Sequence, residues 1–203
     1  MTASLVKKDL RKFINEEKRD FFPKFFKTGK GEYGEGDKFL GVVMPDITNV
    51  AKKYSNLKKE EIEKLLYSPW HEERMCGWVI VLNNFDKSDK KDEWYKFTIK
   101  NIKQLNGWDL VDKIAPNIIG KYLVNQDQKQ ILEWSNNNSL WIRRIAILAS
   151  WSRIKKNEFN LTLKLAKIYI NDTEDLIHKA TGWMLREIGK RDEEILLSFM
   201  EKN

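Results

Sequence analysis

Apolar side chains recur at intervals of three and four residues along most of the chain. From Pro45 onward the recurring positions include Val50, Ala51 and Tyr54, then Ile62, Leu65 and Leu66, and then Val79, Ile80 and Leu82. This spacing puts apolar side chains on one face of a helix, and no segment shows the alternation that a half-buried strand requires. Polar breaks such as Asn83-Asn84 divide the pattern into helices of about 9 to 16 residues. The pattern therefore predicts an all-α protein.

A glycine-rich loop, residues 28 to 41, precedes this helical part. It contains Gly29-Lys30-Gly31-Glu32-Tyr33-Gly34, which matches the dinucleotide-binding pattern GxGxxG. No strand precedes the pattern, and the carboxylates of Glu32, Glu35 and Asp37 would repel a pyrophosphate. We therefore predict no nucleotide site here, and the loop receives no chemical role.

The helices also repeat along the chain. The segments His71–Arg74, Trp108–Asp112, Trp141–Arg144 and His178–Ala180 follow one another at steps of 37, 33 and 37 residues, counted between their first positions. A period of this length, covering one helix pair, is typical of HEAT-type solenoids. We therefore expect a single domain over residues 1–203, a right-handed α-solenoid of HEAT-like helix pairs with a concave groove. The alternative is an irregular α-helical bundle.

Composition narrows the function classes. The chain has 37 Lys and Arg against 30 Asp and Glu, a formal net charge of +7 that suits a polyanionic partner without identifying one. Its N-terminal stretch is charged and it has no long apolar run, which excludes a signal peptide and a membrane span and predicts a cytoplasmic location. With one cysteine and two histidines, we expect no disulfide, no metal and no cofactor.

The segment Asn106 to Asp112 combines an aromatic ring and a carboxylate at the start of a predicted helix. Trp108 and Asp112 are four residues apart, so their side chains project from one face. Asn106 suits the N-cap, and Asp109 can reach back to its N–H as in a capping box. Asp112 lies beyond capping reach. Pro116 cannot donate to the Asp112 carbonyl, which predicts a kink where this carboxylate projects.

The helix predicted over residues 174 to 190 has two contrasting faces. Its apolar stripe consists of Ile177, Ala180, Met184 and Ile188. The opposite side carries Lys179, Trp183, Arg186 and Lys190. A tryptophan among cations is unusual on a solvated face, and this combination is what a nucleic-acid surface needs, because cations meet phosphates while rings meet sugars and bases.

A second helix, residues 139 to 152, has a similar pattern. Its inward positions are Ile142, Ala146 and Ala149. Arg144 is predicted on the opposite side, and Arg74 and Arg143 begin or flank the same face. The competing interpretation is that Arg144 and Arg186 pair with neighbouring acids such as Glu187. Most other tryptophans are expected to fill the core, namely Trp70, Trp78, Trp94, Trp134 and Trp151.

Four segments together resemble the AlkD family of DNA alkylation repair glycosylases. They are Phe25–Gly29 with Phe39–Val42, Trp108–Asp112, Trp141–Ile147, and Lys179–Glu187. The resemblance covers nearly the whole chain and implies HEAT-like repeats and removal of cationic alkylated bases, such as 7-methylguanine and 3-methyladenine, from duplex DNA. It also implies that the functional aromatic pair and carboxylate are Trp108, Trp183 and Asp112, and that a phosphate-binding arginine is Arg144.

The expectation is therefore a monomeric DNA glycosylase of base excision repair whose partner is double-stranded DNA. The catalytic candidates are Asp112, Trp108 and Trp183. The DNA-binding candidates are Arg144, Arg143, Lys179, Arg186, Lys190 and Arg74. The alternative is a non-catalytic HEAT-like scaffold that binds nucleic acid or protein through the same face.

Overall fold

The computed structural model describes the whole chain, Met1–Asn203, and its regular structure is helical. The all-α prediction is confirmed. The chain divides into two compact units, Met1–Leu110 and Val111–Asn203. None of the helices combines the length and the apolar character that crossing a lipid bilayer requires.

The first unit is built from six helices and the start of a seventh. They are α1 (Ala3–Leu10), α2 (Glu16–Phe25), α3 (Met44–Lys53), α4 (Lys59–Leu66), α5 (His71–Lys87), α6 (Lys91–Lys100) and α7 (Trp108–Ile114), with 3-10 turns at Arg11–Phe13 and Ile102–Gln104. Helix α5 forms the centre, since every residue from 71 to 81 is buried, and it packs against α3 and α4. A Cβ on Gly77 would lie 2.8 Å from Leu66 Cδ2, so the absence of a side chain there permits the close approach of α4 and α5.

The glycine-rich loop is fixed by carboxylates of its own unit. Glu32 accepts a hydrogen bond from the Gly29 amide at 2.7 Å, and Glu35 accepts one from the Gly31 amide at 2.8 Å. Glu32 and Glu35 therefore occupy two of the amide donors that a phosphate would need.

Gly41 ends this loop with a φ of +83°. A Cβ there would lie 2.1 Å from the Asn15 carbonyl oxygen, so only glycine fits.

The second unit continues α7 and adds the remaining helices. They are a π-helix (Ala115–Gly120), α8 (Lys121–Leu123), α9 (Lys129–Ser135), α10 (Leu140–Ala149), α11 (Trp151–Ile154), α12 (Asn160–Tyr169), α13 (Asp175–Gly189) and α14 (Glu193–Lys202). Helix α10 packs against α9, α13 and the π-helix, while α12 and α14 pack against α13. Several consecutive helices pack on each other, namely α4 with α5, α9 with α10, α12 with α13 and α13 with α14, as expected for the helix pairs of an α-solenoid.

The chain leaves α-geometry two residues after Asp112. Pro116 has no N–H to donate, and the backbone widens into the π-helix instead of continuing as α7. Ser152 donates to the Pro116 carbonyl at 3.2 Å and Asn117 donates to the Lys113 carbonyl at 2.8 Å. Pro116 predicted a kink at this point, and the structure has a π-helical segment there.

Helices α13 and α10 differ in how well the sequence pattern described them. On α13 the predicted stripe of Ile177, Ala180, Met184 and Ile188 is completely buried. On α10 every residue from 144 to 149 is buried, so the helix has no solvent side where Arg144 was predicted to lie. The prediction for Arg144 was wrong because α10 is packed on several sides, which a single apolar stripe does not indicate.

The tryptophans expected in the core differ in how far they are buried. Trp78 is fully buried, whereas Trp70, Trp94, Trp134 and Trp151 are only half-buried. Their size explains the difference, since tryptophan is highly buried on average but is rarely enclosed completely.

Candidate functional site

In the first unit, α7 begins with a tryptophan packed on phenylalanines. The Trp108 ring stacks on Phe26, with centroids 5.3 Å apart and an interplanar angle of 17°. Phe25 meets the same ring edge-on at 5.8 Å. Both phenylalanines come from the C-terminal end of α2, whose N-cap Asn15 accepts from the Lys18 amide. Trp108 is half-buried, so part of its ring remains accessible.

Asp109 does not cap α7. Its Oδ2 lies 2.8 Å from Nε2 of His71, and its Oδ1 is buried without a hydrogen-bond partner. The capping-box prediction was wrong, because neither oxygen is bound to the amide of Asn106. The competing partner, His71, lies 38 residues earlier in the chain.

His71 is a buried cation between two carboxylates. Its Nδ1 lies 2.9 Å from Oδ2 of Asp37, opposite the contact between Nε2 and Asp109. Burial by itself would lower the pKa of His71, but the charges and hydrogen bonds of Asp109 and Asp37 outweigh it and raise the pKa to about 9. At neutral pH both ring N–H groups therefore donate, one to each carboxylate.

Arg74 completes this cluster and is not a free cation. It is 3% exposed, and its Nη2 lies 2.6 and 2.7 Å from the two oxygens of Asp37. Its Nη1 donates to the Ser68 carbonyl at 3.0 Å. Burial opposes ionisation of Asp37, but His71 and Arg74 outweigh it and lower the pKa of this carboxyl. Asp37 of the glycine-rich loop thus binds Arg74 inside the unit, and a contact of Arg74 with DNA stays a prediction.

A cavity of about 150 Å³ lies beside this cluster. Phenylalanine rings form much of its wall, and His71, Glu72 and Asp109 also line it. Both Glu72 oxygens accept backbone amides, those of Leu40 at 2.9 Å and Gly41 at 2.8 Å among them. No sequence motif indicated a cavity at this position.

In the second unit, Asp112 is held by Arg144 in a two-point ion pair. Arg144 Nε donates to Oδ1 at 2.8 Å and Nη2 donates to Oδ2 at 2.9 Å. Arg144 Nη1 donates to the Leu176 carbonyl, which fixes the guanidinium from its other end. The Arg144 side chain is 6% exposed and the Asp112 side chain 23%. The arginine is thus built into the unit, while its carboxylate still reaches the surface.

The neighbouring Arg143 makes a second ion pair that is more enclosed. It holds Asp172 through Nε at 2.8 Å and Nη2 at 3.2 Å, and the Asp172 side chain is 9% exposed. Arg143 Nη1 also donates to the carbonyls of Asn137 and Asn138. This arginine thus connects the loop at Asn137 and Asn138 with Asp172, and its contact with DNA stays a prediction.

The three predicted cations of α13 and its C-cap remain at the surface. Lys179 pairs with Asp175 at 2.7 Å, but both side chains are mostly exposed, so water and salt screen the pair. Lys190 pairs with Glu187 at 2.6 Å and is likewise exposed. Arg186 is exposed, and Glu187 binds Lys190 and Arg191 instead of Arg186.

Trp183 lies on the same helix and is half-buried. Its ring packs against that of Trp151, with centroids 5.8 Å apart and an interplanar angle of 51°. The ammonium of Lys155 lies 4.7 Å from the Trp151 ring centroid. The Trp183 ring of α13 is thus packed on a second aromatic ring, which in turn lies beside a lysine.

Comparison with known proteins decides the family. The model of the DNA alkylation repair enzyme family matches residues 6–203. The chain belongs to the DNA alkylation repair enzyme family. A solved structure described as a predicted DNA alkylation repair enzyme from Enterococcus faecalis has a similar fold, with a TM-score of 0.71 and 18% sequence identity. The similarity covers 93% of this chain and 89% of that one. No curated protein matches the chain.

For this DNA alkylation repair family member, the structure divides the predicted site residues into three groups. Trp108 and Trp183 are half-buried rings, each backed by another aromatic ring. Asp112 and Arg144 form one ion pair, and Arg74 and Arg143 are internal structural cations. The surface cations are Lys179, Arg186 and Lys190.

Sequence reasoning missed the cluster of Asp37, His71 and Asp109. Two signals for it were present. The repeat alignment gave His71 the position that Trp108 has in the next repeat, and the phenylalanines of the glycine-rich motif occurred in the family resemblance. Neither signal specified that a loop carboxylate would bind a helix histidine.

Proposed function

We propose that this protein is a DNA glycosylase that excises positively charged N3- and N7-alkylated purines, such as 3-methyladenine and 7-methylguanine, from duplex DNA. Family membership supports a role in alkylation repair. The observation that carries the proposal is the ion pair between Asp112 and Arg144, which places a carboxylate of fixed orientation at the surface of the second unit.

The chemistry of the substrate fits a carboxylate of this kind. A purine alkylated at N3 or N7 carries a positive charge and leaves as a neutral base, so the reaction needs little protonation by a general acid. Positive charge develops on the deoxyribose as the glycosidic bond breaks. A preorganised carboxylate stabilises that charge and can orient the attacking water, which is the role we assign to Asp112.

Arg144 serves this role by orientation. Its planar guanidinium binds both oxygens of Asp112 at once, which a lysine cannot do. The arginine is enclosed by its bond to the Leu176 carbonyl and by burial, so we now assign it to holding Asp112 and not primarily to a DNA phosphate.

Trp108 and Trp183 supply aromatic faces, which favour cationic groups such as an alkylated base. Support from Phe26 and from Trp151 restricts how far each ring can turn. Lys179, Arg186 and Lys190 supply surface charge for phosphates, consistent with duplex DNA as the partner. We propose that the protein acts as a monomer.

The decisive experiment replaces Asp112 by Asn, which keeps the size of the side chain and removes its charge. Release of 7-methylguanine from methylated duplex would be timed under single-turnover conditions, which isolate chemistry from product release. We expect the rate to fall by about a hundredfold or more, as for loss of a preorganised electrostatic group. Affinity for undamaged duplex should be unchanged.

Asp172→Asn is the matched control, because Asp172 is also held at two points by an arginine of α10 but is more enclosed. It should lose stability and keep the single-turnover rate. Equal rates for wild type and Asp112→Asn would reject the assigned mechanism. Absence of release by the wild-type protein, with duplex binding intact, would support the non-catalytic scaffold instead.

A further inference from the structure

The last part of the glycine-rich loop is anchored on His71, the first residue of α5. Three consecutive loop residues contact this histidine. Oδ2 of Asp37 lies 2.9 Å from the imidazole Nδ1, and the Lys38 carbonyl accepts the His71 amide at 2.8 Å. The Phe39 ring stacks on the imidazole, with centroids 4.8 Å apart and an interplanar angle of 25°. Arg74 binds both oxygens of Asp37, so the loop holds the histidine in a defined position.

A second set of contacts joins His71 to the start of α7. Its Nε2 lies 2.8 Å from Oδ2 of Asp109, and a Cβ on Gly107 would lie 3.4 Å from Cε1 of the imidazole. Gly107 and Asp109 are the chain neighbours of Trp108. His71 therefore lies against both residues that flank Trp108.

Stacked rings also connect His71 with the Trp108 side chain. Phe39 stacks on Phe26 with centroids 4.8 Å apart, and Phe26 stacks on Trp108 at 5.3 Å. Phe26 also contacts the imidazole directly, at 5.0 Å. The raised pKa of His71, about 9, keeps the imidazole protonated at neutral pH, and a cation is attracted to the faces of phenylalanine rings. The histidine thus stabilises the pair of rings, Phe26 and Phe39, that extends from Trp108.

The two stacked phenylalanines border open space. Phe26 and Phe39 both line the cavity of about 150 Å³, so close packing does not enclose them on every side. A side chain beside open space can adopt another rotamer unless a specific contact prevents it. The contacts that prevent it here lead to His71, whose two ring nitrogens are fixed by Asp37 and Asp109.

We propose that the glycine-rich loop fixes the position of Trp108, with His71 and Phe39 as positioning residues. His71 acts on the backbone at the start of α7 through Gly107 and Asp109, and on the indole ring through the stacked phenylalanines. The consequence for excision rests on the proposed function, in which Trp108 supplies an aromatic face to the alkylated base. The position of the ring itself can be measured without DNA.

The position of Trp108 can be followed by 19F NMR of protein that carries 5-fluorotryptophan. Comparison with Trp108→Phe and Trp94→Phe assigns two signals, and spectra in H2O and D2O measure how exposed each fluorine is. Phe39→Leu keeps an apolar side chain but removes the ring from the stack. It should shift the Trp108 signal and increase its solvent isotope effect, because Phe26 loses its support. The signal of Trp94, which packs on Phe97 in the same unit, should stay unchanged.

Two further variants separate positioning from a general loss of packing. His71→Gln removes the imidazolium and should also shift the Trp108 signal. Val6→Ala is the matched control, because Val6 is fully buried in α1 of the same unit and does not belong to the stack. It should lower stability and leave the Trp108 signal unchanged.

Excision shows whether the position of the ring affects the reaction. Single-turnover release of 7-methylguanine by Phe39→Leu should be slower than by wild type by about tenfold or more, as expected when a group that contacts the substrate is displaced. Affinity for undamaged duplex should be unchanged. Val6→Ala should keep the wild-type rate.

An unchanged Trp108 signal in folded Phe39→Leu and His71→Gln would overturn the proposal, and one of the two suffices if the other fails to fold. An equal shift in Val6→Ala would overturn it as well, because any loss of packing would then move the ring. So would a displaced Trp108 that excises at the wild-type rate. If the wild-type protein releases no base, the proposed function fails, and the Trp108 signal alone decides whether the loop positions the ring.

Discussion

Two aspartates of α7 are held by cations of different chemistry. Asp109, in the first unit, is bound by His71 through one oxygen, and its other oxygen has no hydrogen-bond partner. Asp112, in the second unit, is bound by Arg144 through both oxygens. The two side chains have similar exposure, 19% and 23%. Their difference therefore lies in the partner and not in burial.

The partner decides what each carboxylate can do. Arginine remains charged at every physiological pH, and its planar guanidinium binds both oxygens, so the orientation of the Asp112 carboxylate is fixed. Histidine can lose its proton, and His71 binds only one of the two Asp109 oxygens. We infer that Asp112 suits chemistry on a developing cation, whereas Asp109 suits a structural role.

The largest expected effect comes from removing the partner of Asp112. Arg144→Ala should slow excision by about a hundredfold and lower the free energy of unfolding by about 3 kcal/mol, because a partly buried carboxylate loses its partner. Single-turnover excision and urea denaturation measure the two effects. Arg143→Ala is the control, and it should lower stability without changing the excision rate. A normal rate in folded Arg144→Ala would remove the distinction between the two aspartates.

The second largest effect concerns His71, the partner of Asp109. We expect the free energy of unfolding to fall as the pH rises. The folded-state pKa of His71, about 9, is above the unfolded value of 6.5. The contacts of protonated His71 with Asp37 and Asp109 therefore stabilise the folded state fully below pH 6.5, and this stabilisation is lost as pH rises through 9. The loss should be on the order of 3 kcal/mol, measured by urea denaturation between pH 6 and pH 10.

His71→Gln provides the control for this pH dependence, because glutamine does not titrate. Burial raises the pKa of Cys76 to about 12, which adds a separate loss of stability at high pH in both proteins. The difference between wild type and His71→Gln isolates the histidine. Parallel pH profiles for the two proteins would contradict a protonated His71 in the folded state.

A smaller effect tests the two-point geometry of the Asp112 pair. Arg144→Lys keeps the positive charge but cannot donate to both oxygens in parallel. We expect excision to slow by about tenfold, less than for Arg144→Ala. Arg143→Lys should leave the single-turnover rate unchanged. If Arg144→Lys excises at the wild-type rate, charge alone and not orientation supports Asp112.

The smallest expected effect is on duplex binding, and it concerns the surface cations in contrast to the internal arginines. Lys179→Ala and Arg186→Ala should each weaken binding to any duplex and reduce the slope of log affinity against log salt by about 0.9, one phosphate contact. Lys167→Ala, an exposed lysine of α12, is the control and should keep the wild-type slope. Unchanged slopes for both α13 variants would mean that this face does not bind DNA.

Local sequence was sufficient for features that depend on helical periodicity. The stripe of α13, with Ile177 and Met184 among its members, was predicted and is completely buried. Trp108 and Asp112 were assigned to one helix from their spacing, and both lie on α7. Pro116 predicted a kink, and a departure from α-helical geometry, a π-helix, is present there. These properties follow from 3.6 residues per turn and from the missing N–H of proline.

Partners distant in sequence were decided only by tertiary structure. Arg74 binds Asp37 across 37 residues, Asp109 binds His71 across 38, and Asp112 binds Arg144 across 32. The sequence suggested a different environment for these side chains: Asp109 as a helix-capping residue, and the arginines as solvent-exposed residues. Packing brought a different partner within hydrogen-bond distance, and an unpaired buried charge is too unfavourable to remain. The sequence therefore determined which residues carry charge and lie on helices, and the tertiary structure determined which of those charges are paired.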